Sequence, residues 1–321
     1  MSTSVLILHH GNCFDGMISA AILGRFFLDG PYPGATLSFR GMSHSQQDPY
    51  GDHQAIFCAE VNAVVDFRYS PSPRLTWFCD HHQTTFLRPE DRAHLEADRS
   101  GRKCLDVDAP SCAGLLARWL ARQHGFDASA FAEHVRWADL IDSAAFESPA
   151  QAVGLREPAL RLMMLLESAP PESLVDWMIR SLAEASIEEV YRDPRIGAAV
   201  GPLLEAHARV VELFRSRLEV QRGVAFADLS AEGVEGFNKF IPYYLDESIC
   251  YTVVVTASAR RAKVSVGSNP WRRPSPLRNL GELCHGYGGG GHAVVGAVTL
   301  PAGEGEAARR IGVEIAASLR E

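Results

Sequence analysis

Short apolar runs alternate with polar clusters through the first third of the chain. Ser4–His9, Ala35–Phe39, Ala55–Cys58, Ala63–Phe67 and Leu75–Cys79 each have the length and apolar content of a strand. Asp15–Leu28, between the first two, carries apolar residues at helical spacing. Strands separated by helices predict an α/β domain with a mainly parallel sheet flanked by helices. From about residue 111 the pattern turns helical, over Cys112–His124, Ala130–Ile141, Pro158–Glu167 and a long stretch Pro202–Arg222. Strand-like runs return at Val224–Leu229, Cys250–Ala257 and Ala262–Val266. After them come a Pro/Arg-rich segment, a glycine run Gly286–Gly291, a strand-like Val294–Leu300 and a final amphipathic helix. These changes of period predict an N-terminal domain over residues 1–195, a helical connector over 196–222 and a smaller C-terminal α/β domain over 223–321.

Composition narrows the function classes. At 46% hydrophobic and 22% charged residues the chain has the balance of a globular protein rather than a disordered one. A net charge of −8 disfavours tight binding to long DNA or RNA, which needs an extended basic surface, but leaves room for a small anionic ligand in a locally positive cleft. No apolar run approaches the roughly 18 residues of a membrane span, and Val5–Leu8 is too short for a signal-peptide core, so no membrane partner and a cytoplasmic location are expected. Seven cysteines without a C-x-x-C pair predict neither a disulfide framework nor a zinc knuckle.

Candidate chemistry gathers at strand ends, where parallel sheets keep their ligands. HHGNCFDG (residues 9–16) sits where the first strand gives way to a helix, Asp66 follows VV, and Asp80, His81 and His82 follow the apolar LTWFC. A fourth motif, WADLIDSAAFESP, places Asp139 and Asp142 on one helical face. Singly, each Asp is readable as a helix cap and each His as a hydrogen-bonded surface residue. Jointly, carboxylates converging from several strand ends repel each other, and a divalent cation relieves that repulsion. Mixed carboxylate and imidazole donors suit Mn²⁺, Mg²⁺, Fe²⁺ or Zn²⁺.

On these motifs the sequence resembles the DHH phosphoesterase family, whose members carry H-x-x-x-D-x-D after the first strand, a strand-end Asp, the D-H-H triplet and a later Asp. HGYGGGGHAVVGAV (residues 285–298) resembles the GGGH motif of the DHH-associated C-terminal domain. The resemblance spans nearly the whole chain and is least specific in its helical middle. It implies two divalent ions, Mn²⁺ first among the candidates with Zn²⁺, Fe²⁺ and Mg²⁺ as alternatives. His9, Cys13 and Asp66 would hold one ion; Asp15, Asp66, His81 and Asp142 would hold the other, with Asp142 favoured over Asp139. His82 would stabilise charge on the phosphoryl group and Asp80 would orient a histidine. Gly289, Gly290, Gly291 and His292, with Arg272 and Arg273 as a candidate clamp, would bind the rest of the substrate.

Position 13 departs from the family pattern, which has Asp where this chain has Cys13. A thiolate ligand favouring softer ions, a weak first site, and a disabled enzyme all stay open, and His10 is a further candidate to fill the gap. The function expected is hydrolysis of phosphodiester or phosphomonoester bonds in small nucleotides or short oligonucleotides by a metal-activated water. The alternatives are a non-catalytic nucleotide-binding protein and an inorganic pyrophosphatase, the latter disfavoured by the GGGH motif. Among partners, a homodimer is left open.

Overall fold

The computed structural model describes residues 2–43 and 48–321, with backbone alone at 53 and 54. The chain divides into two compact units, one formed by Met1–Phe146 and Arg156–Gly201, the other by Glu147–Leu155 and Pro202–Glu321.

Five parallel strands carry the first unit: β1 (Ser4–His10), β2 (Thr36–Met42), β3 (Val61–Val65), β4 (Leu75–Asp80) and β5 (Lys103–Leu105), in the order β2-β1-β3-β4-β5. β1 and β3 are buried along almost their whole length, as their unbroken apolar runs require of strands covered on both faces. On one face Leu6, Leu8, Val64 and Phe78 pack with Tyr50, Phe57, Phe67 and Tyr69. Helix α1 (Phe14–Asp29) follows β1 and is buried on nearly every side, because its residues are small or apolar all round rather than along one stripe.

The short α2 (His53–Ile56) lies where the Ala55–Cys58 run predicted a strand. Asp52 decides this locally, since its carbonyl and carboxylate accept from the N–H groups of Ile56 and Ala55. α3 (Pro89–Ala97) connects β4 to β5, a strand whose three residues are too few to show a period. Then come α4 (Cys112–His124) and α5 (Ala132–Asp142); α1 packs against both. α6 (Pro149–Gly154) belongs to the second unit, where the Val153 and Ala152 carbonyls accept from His207 and Asn238. α7 (Pro158–Glu167), α8 (Glu172–Leu182) and α9 (Ile187–Tyr191) return to the first unit.

Helix α10 (Pro194–Arg217) starts earlier than the predicted long helix and stops sooner. Glu219–Gln221, at the end of that prediction, is instead an edge strand, β6, paired antiparallel with β7 (Val224–Leu229). The division between the units falls inside α10, between Gly201 and Pro202. After α11 (Ile241–Leu245), β8 (Tyr251–Ala257), β9 (Arg261–Ser268), α12 (Leu280–His285), β10 (Gly290–His292), β11 (Val295–Pro301) and α13 (Gly305–Leu319) complete the second unit. Its mixed sheet runs β10-β11-β9-β8-β7-β6, with Val253, Val255, Val264 and Val266 packed under Leu280 of α12 and Ile315 of α13.

One close approach sets the start of α1. A Cβ on Gly16 would lie 2.4 Å from the His10 carbonyl oxygen, so only glycine lets the first turn of α1 lie against the end of β1. Gly16→Ala should therefore lower stability by ~2 kcal/mol, although alanine is the better helix former. Urea unfolding measures it, and a neutral or stabilising result would refute this packing.

Candidate metal centre

The strand order of the first unit reverses between β1 and β3, and a crevice opens outside the carboxyl ends of strands at such a switch point. His10 closes β1, Asp66 follows β3, and Asp80 closes β4 with His81 and His82 immediately behind. Asp66 turns there with φ +54°, a left-handed conformation that Asp tolerates better than most residues, and its side chain is wholly buried.

Asp15, in the first turn of α1, reaches across to the start of α4. Its two oxygens accept from the backbone N–H groups of Cys112 (2.7 Å) and Ala113 (2.8 Å), which an α-helix leaves free at its N-terminus. Ser111 caps the same helix by accepting from the Gly114 N–H at 2.9 Å, and donates to Asp139 at 2.5 Å.

His81 stands at the middle. Its Nδ1 bonds the Ala109 carbonyl at 2.9 Å, which makes Nδ1 the protonated nitrogen in the neutral ring and turns the Nε2 lone pair inward. That Nε2 lies 3.6 Å from Asp15, 3.6 Å from Asp66 and 3.4 Å from Asp142 at the end of α5. His82 Nδ1 bonds Asp80 at 2.8 Å and lies 3.7 Å from Asp66, while Asp80 also accepts from the Thr85 hydroxyl. His10 Nδ1 lies 3.5 Å from Asp66.

Several carboxylates in so small a buried volume have electrostatic consequences. Burial, then the charges of Asp66 and Asp142, push the Asp15 carboxyl well above its usual range. Burial and Asp66 push Asp142 up as well. Burial would also raise Asp66, but the imidazoles of His10 and His81 outweigh it and hold that carboxyl low. Burial disfavours the charged His81 ring, yet Asp66, Ala109 and Asp15 together raise it to about 10. Protons thus occupy a place where positive charge is demanded.

Both oxygens of Asp66 and Nε2 of His81 are buried and accept or donate no hydrogen bond among the described residues. Orphaned lone pairs of oxygen and imidazole nitrogen, converging within a few ångström, fit a divalent cation. Three sets of donor atoms lie within 4.8 Å of one another: His10, Cys13 and Asp66; Asp66, His81 and His82; and Asp15, His81 and Asp142.

The structure thus brings together Cys13, Asp15, Asp66, His81, His82 and Asp142 of the expected residues, with Asp80 behind His82. It puts His10 where His9 was expected. Successive strand residues face opposite sides, and the His9 ring lies buried with Nδ1 on the His10 carbonyl and its Cε1 near Gly41. Burial lowers His9 to about 4, so it is neutral, and it joins none of the donor sets. Asp142 rather than Asp139 faces His81, since Asp139 is engaged with Ser111. Burial and the charges of Asp66 and Asp15 push the Cys13 thiol up, so it is a thiol in the metal-free protein. Thr85 and Ser111 escaped sequence reasoning; only the Ser-x-x-Gly start of an apolar helix hinted at Ser111.

In the second unit, Gly290, Gly291 and His292 line a pocket of about 400 Å³ with Asn279, Glu282 and His285. Gly289 and Gly291 answer first to packing, for a Cβ on either would meet a β11 carbonyl oxygen at 2.2 or 2.3 Å, whereas Gly290 is open. Arg272 and Arg273 are exposed in the loop after β9 and are not among the residues lining the pocket.

No protein-family model and no curated protein matches the sequence. Among solved structures, the chain is similar to a pGpG-specific phosphodiesterase, PggH, from Vibrio cholerae, with TM-score 0.69, 19% identity and coverage of 98% of this chain and 99% of that one. It is also similar to RecJ from Thermus thermophilus in complex with Mn²⁺, with TM-score 0.55 and 13% identity, 99% of this chain aligning with 52% of RecJ. The fold is that of the DHH phosphoesterases. In this DHH fold no helix among the described residues is long and apolar enough to cross a membrane.

The exchange of His9 for His10 is open to direct test. His10→Ala should weaken Mn²⁺ binding by roughly tenfold or more in calorimetric titration, while His9→Gln should leave it within about twofold. The opposite ranking would return the ligand role to His9.

Proposed function

We propose that the protein is a divalent-metal-dependent phosphoesterase acting on small nucleotides or short oligonucleotides. The observation that carries this reading is the orphaned set at the switch point, the Asp66 oxygens and His81 Nε2 facing Asp15 and Asp142. Asp15, Asp66, His81 and Asp142 would hold one cation, and His10, Cys13 and Asp66 a second, with Asp66 shared. A bound divalent cation supplies charge for the phosphoryl oxygens and lowers the pKa of water. The fold shared over nearly the full length with a pGpG-specific phosphodiesterase supports a nucleotide substrate.

The chain's own residues divide the remaining work. His82 is fixed by Asp80, and that bond raises its pKa, which favours the protonated ring that can donate to a phosphoryl oxygen. Thr85 holds Asp80 from behind. Ala109 fixes the His81 tautomer, keeping Nε2 free as a ligand atom. The N-terminal dipole of α4 steadies the buried charge of Asp15. The second unit carries candidate nucleotide contacts of its own, His292 and the open backbone at Gly290, with Arg272 and Arg273 as exposed auxiliary cations.

The test is turnover of pGpG, pApA, a 3′,5′-bisphosphonucleoside, a cyclic dinucleotide and pyrophosphate with Mn²⁺, Mg²⁺ or Zn²⁺. Metal-dependent cleavage of a nucleotide is expected, abolished in Asp66→Asn and raised in KM by His292→Ala without loss of metal affinity. Cleavage of pyrophosphate alone, or none with any metal by a folded protein, would sink the reading. Cys13→Asp should shift preference toward Mn²⁺ over Zn²⁺, since a hard oxygen replaces sulfur beside Asp66. Unchanged metal preference in that variant would exclude Cys13 from the ligand set.

A further inference from the structure

Arg68 lies two residues beyond Asp66 in the turn that leaves β3. The turn is pinned on both sides of it: the Tyr50 hydroxyl donates to the Arg68 carbonyl, and the Tyr69 N–H donates to the Thr85 carbonyl at 2.9 Å. The Arg68 side chain is half-buried, and its Nε is shielded from solvent without a hydrogen-bond acceptor. Among the described residues no carboxylate pairs with it. By contrast, Arg74 donates to the Phe57 carbonyl at 2.6 Å and Arg180 to Asp176 at 2.8 Å.

The position of the group gives this lack of a partner its meaning. The Tyr50 hydroxyl that holds the Arg68 carbonyl belongs to a ring packed beside the centre. The Tyr50 ring packs on Phe67, with centroids 6.2 Å apart, and Phe67 packs on His10 at 6.0 Å. Through this packing the turn that bears Arg68 lies on the His10 side of the centre, and His10 in turn stands 6.3 Å from His82, ring to ring. A guanidinium withheld from every carboxylate of so acidic a site offers its planar fork to an anion from outside, and a phosphate matches that fork.

We propose that Arg68 binds the phosphate of the substrate at the His10–His82 side of the centre. The assignment rests on the phosphoesterase reading given above, and the test separates the two. Arg68→Met, Arg68→Gln and Arg68→Lys would be made in the full chain. For each, Mn²⁺ binding, inorganic phosphate binding to the Mn²⁺-loaded protein, thermal unfolding, and kinetics on whichever substrate the unmodified protein cleaves would be measured.

Arg68→Met and Arg68→Gln should weaken phosphate binding by about tenfold or more, with a loss of kcat/KM at least as large, and Arg68→Lys should retain part of both. Mn²⁺ affinity should stay within about twofold, and the melting temperature should hold or rise, because an unpaired, half-buried cation has been removed. That pairing of lost phosphate binding with kept stability is one a merely structural arginine would not produce. Unchanged phosphate affinity in Arg68→Met and Arg68→Gln would overturn the proposal, as would a fall in stability or Mn²⁺ affinity in all three variants. Arg68-dependent phosphate binding in a protein that cleaves nothing would uphold Arg68 and defeat the phosphoesterase reading. Cleavage indifferent to Arg68 would do the reverse.

Discussion

Asp15 is the residue on which the first unit turns. Its carboxylate is buried at the foot of α1 and accepts from two N–H groups at the start of α4, so it joins two helices that are far apart in sequence. The same carboxylate faces His81 Nε2 at 3.6 Å. One side chain therefore satisfies backbone donors that would otherwise be unpaired and supplies charge to the centre. Gly16 makes this possible, since without a Cβ the first turn of α1 lies against the end of β1. The helix dipole of α4 and the requirement for a cation act on the same group and favour its ionised form.

Around Asp15 the centre is built to be incomplete without positive charge. Asp15 and Asp142 are pushed up and His81 is raised to about 10, so in the metal-free state protons partly meet that demand. Asp66, shared by two of the three donor sets, stays low because imidazoles surround it. A net charge of −8 spread over the chain says little about this; the decisive quantity is the spacing of a few carboxylates in a buried volume. Arg68, half-buried and matched by no carboxylate among the described residues, is a cation in the turn that Asp66 begins.

In the second unit the glycine run answers first to backbone packing. Its glycines permit β10 to lie close against β11, and a side chain would find open space at Gly290 beside His292. Backbone packing accounts for Gly289 and Gly291, and it depends on a strand pairing that composition does not reveal.

Unbroken apolar runs determined β1, β3 and β4 and the polar groups that follow them, because a strand buried on both faces must be apolar throughout and polar chemistry can begin only where burial ends. The run of small and apolar residues after Cys13 likewise determined α1, and the spacing of Asp139 and Asp142 determined that both lie on one helix face. Local capping escaped that reading: Asp52 turned a strand-like run into α2, and Glu219–Gln221 left the long helix to pair with β7. Tertiary structure alone sets His10 rather than His9 beside Asp66, since a one-residue change of parity sends a side chain to the opposite face of the sheet. It alone engaged Asp139 with Ser111 and left Asp142 to His81, and it alone left Arg68 without a carboxylate among the described residues. Periodicity along the chain specifies which residues are buried and where strands end; distances between groups that are far apart in sequence exist only once the sheet order and helix packing bring them together.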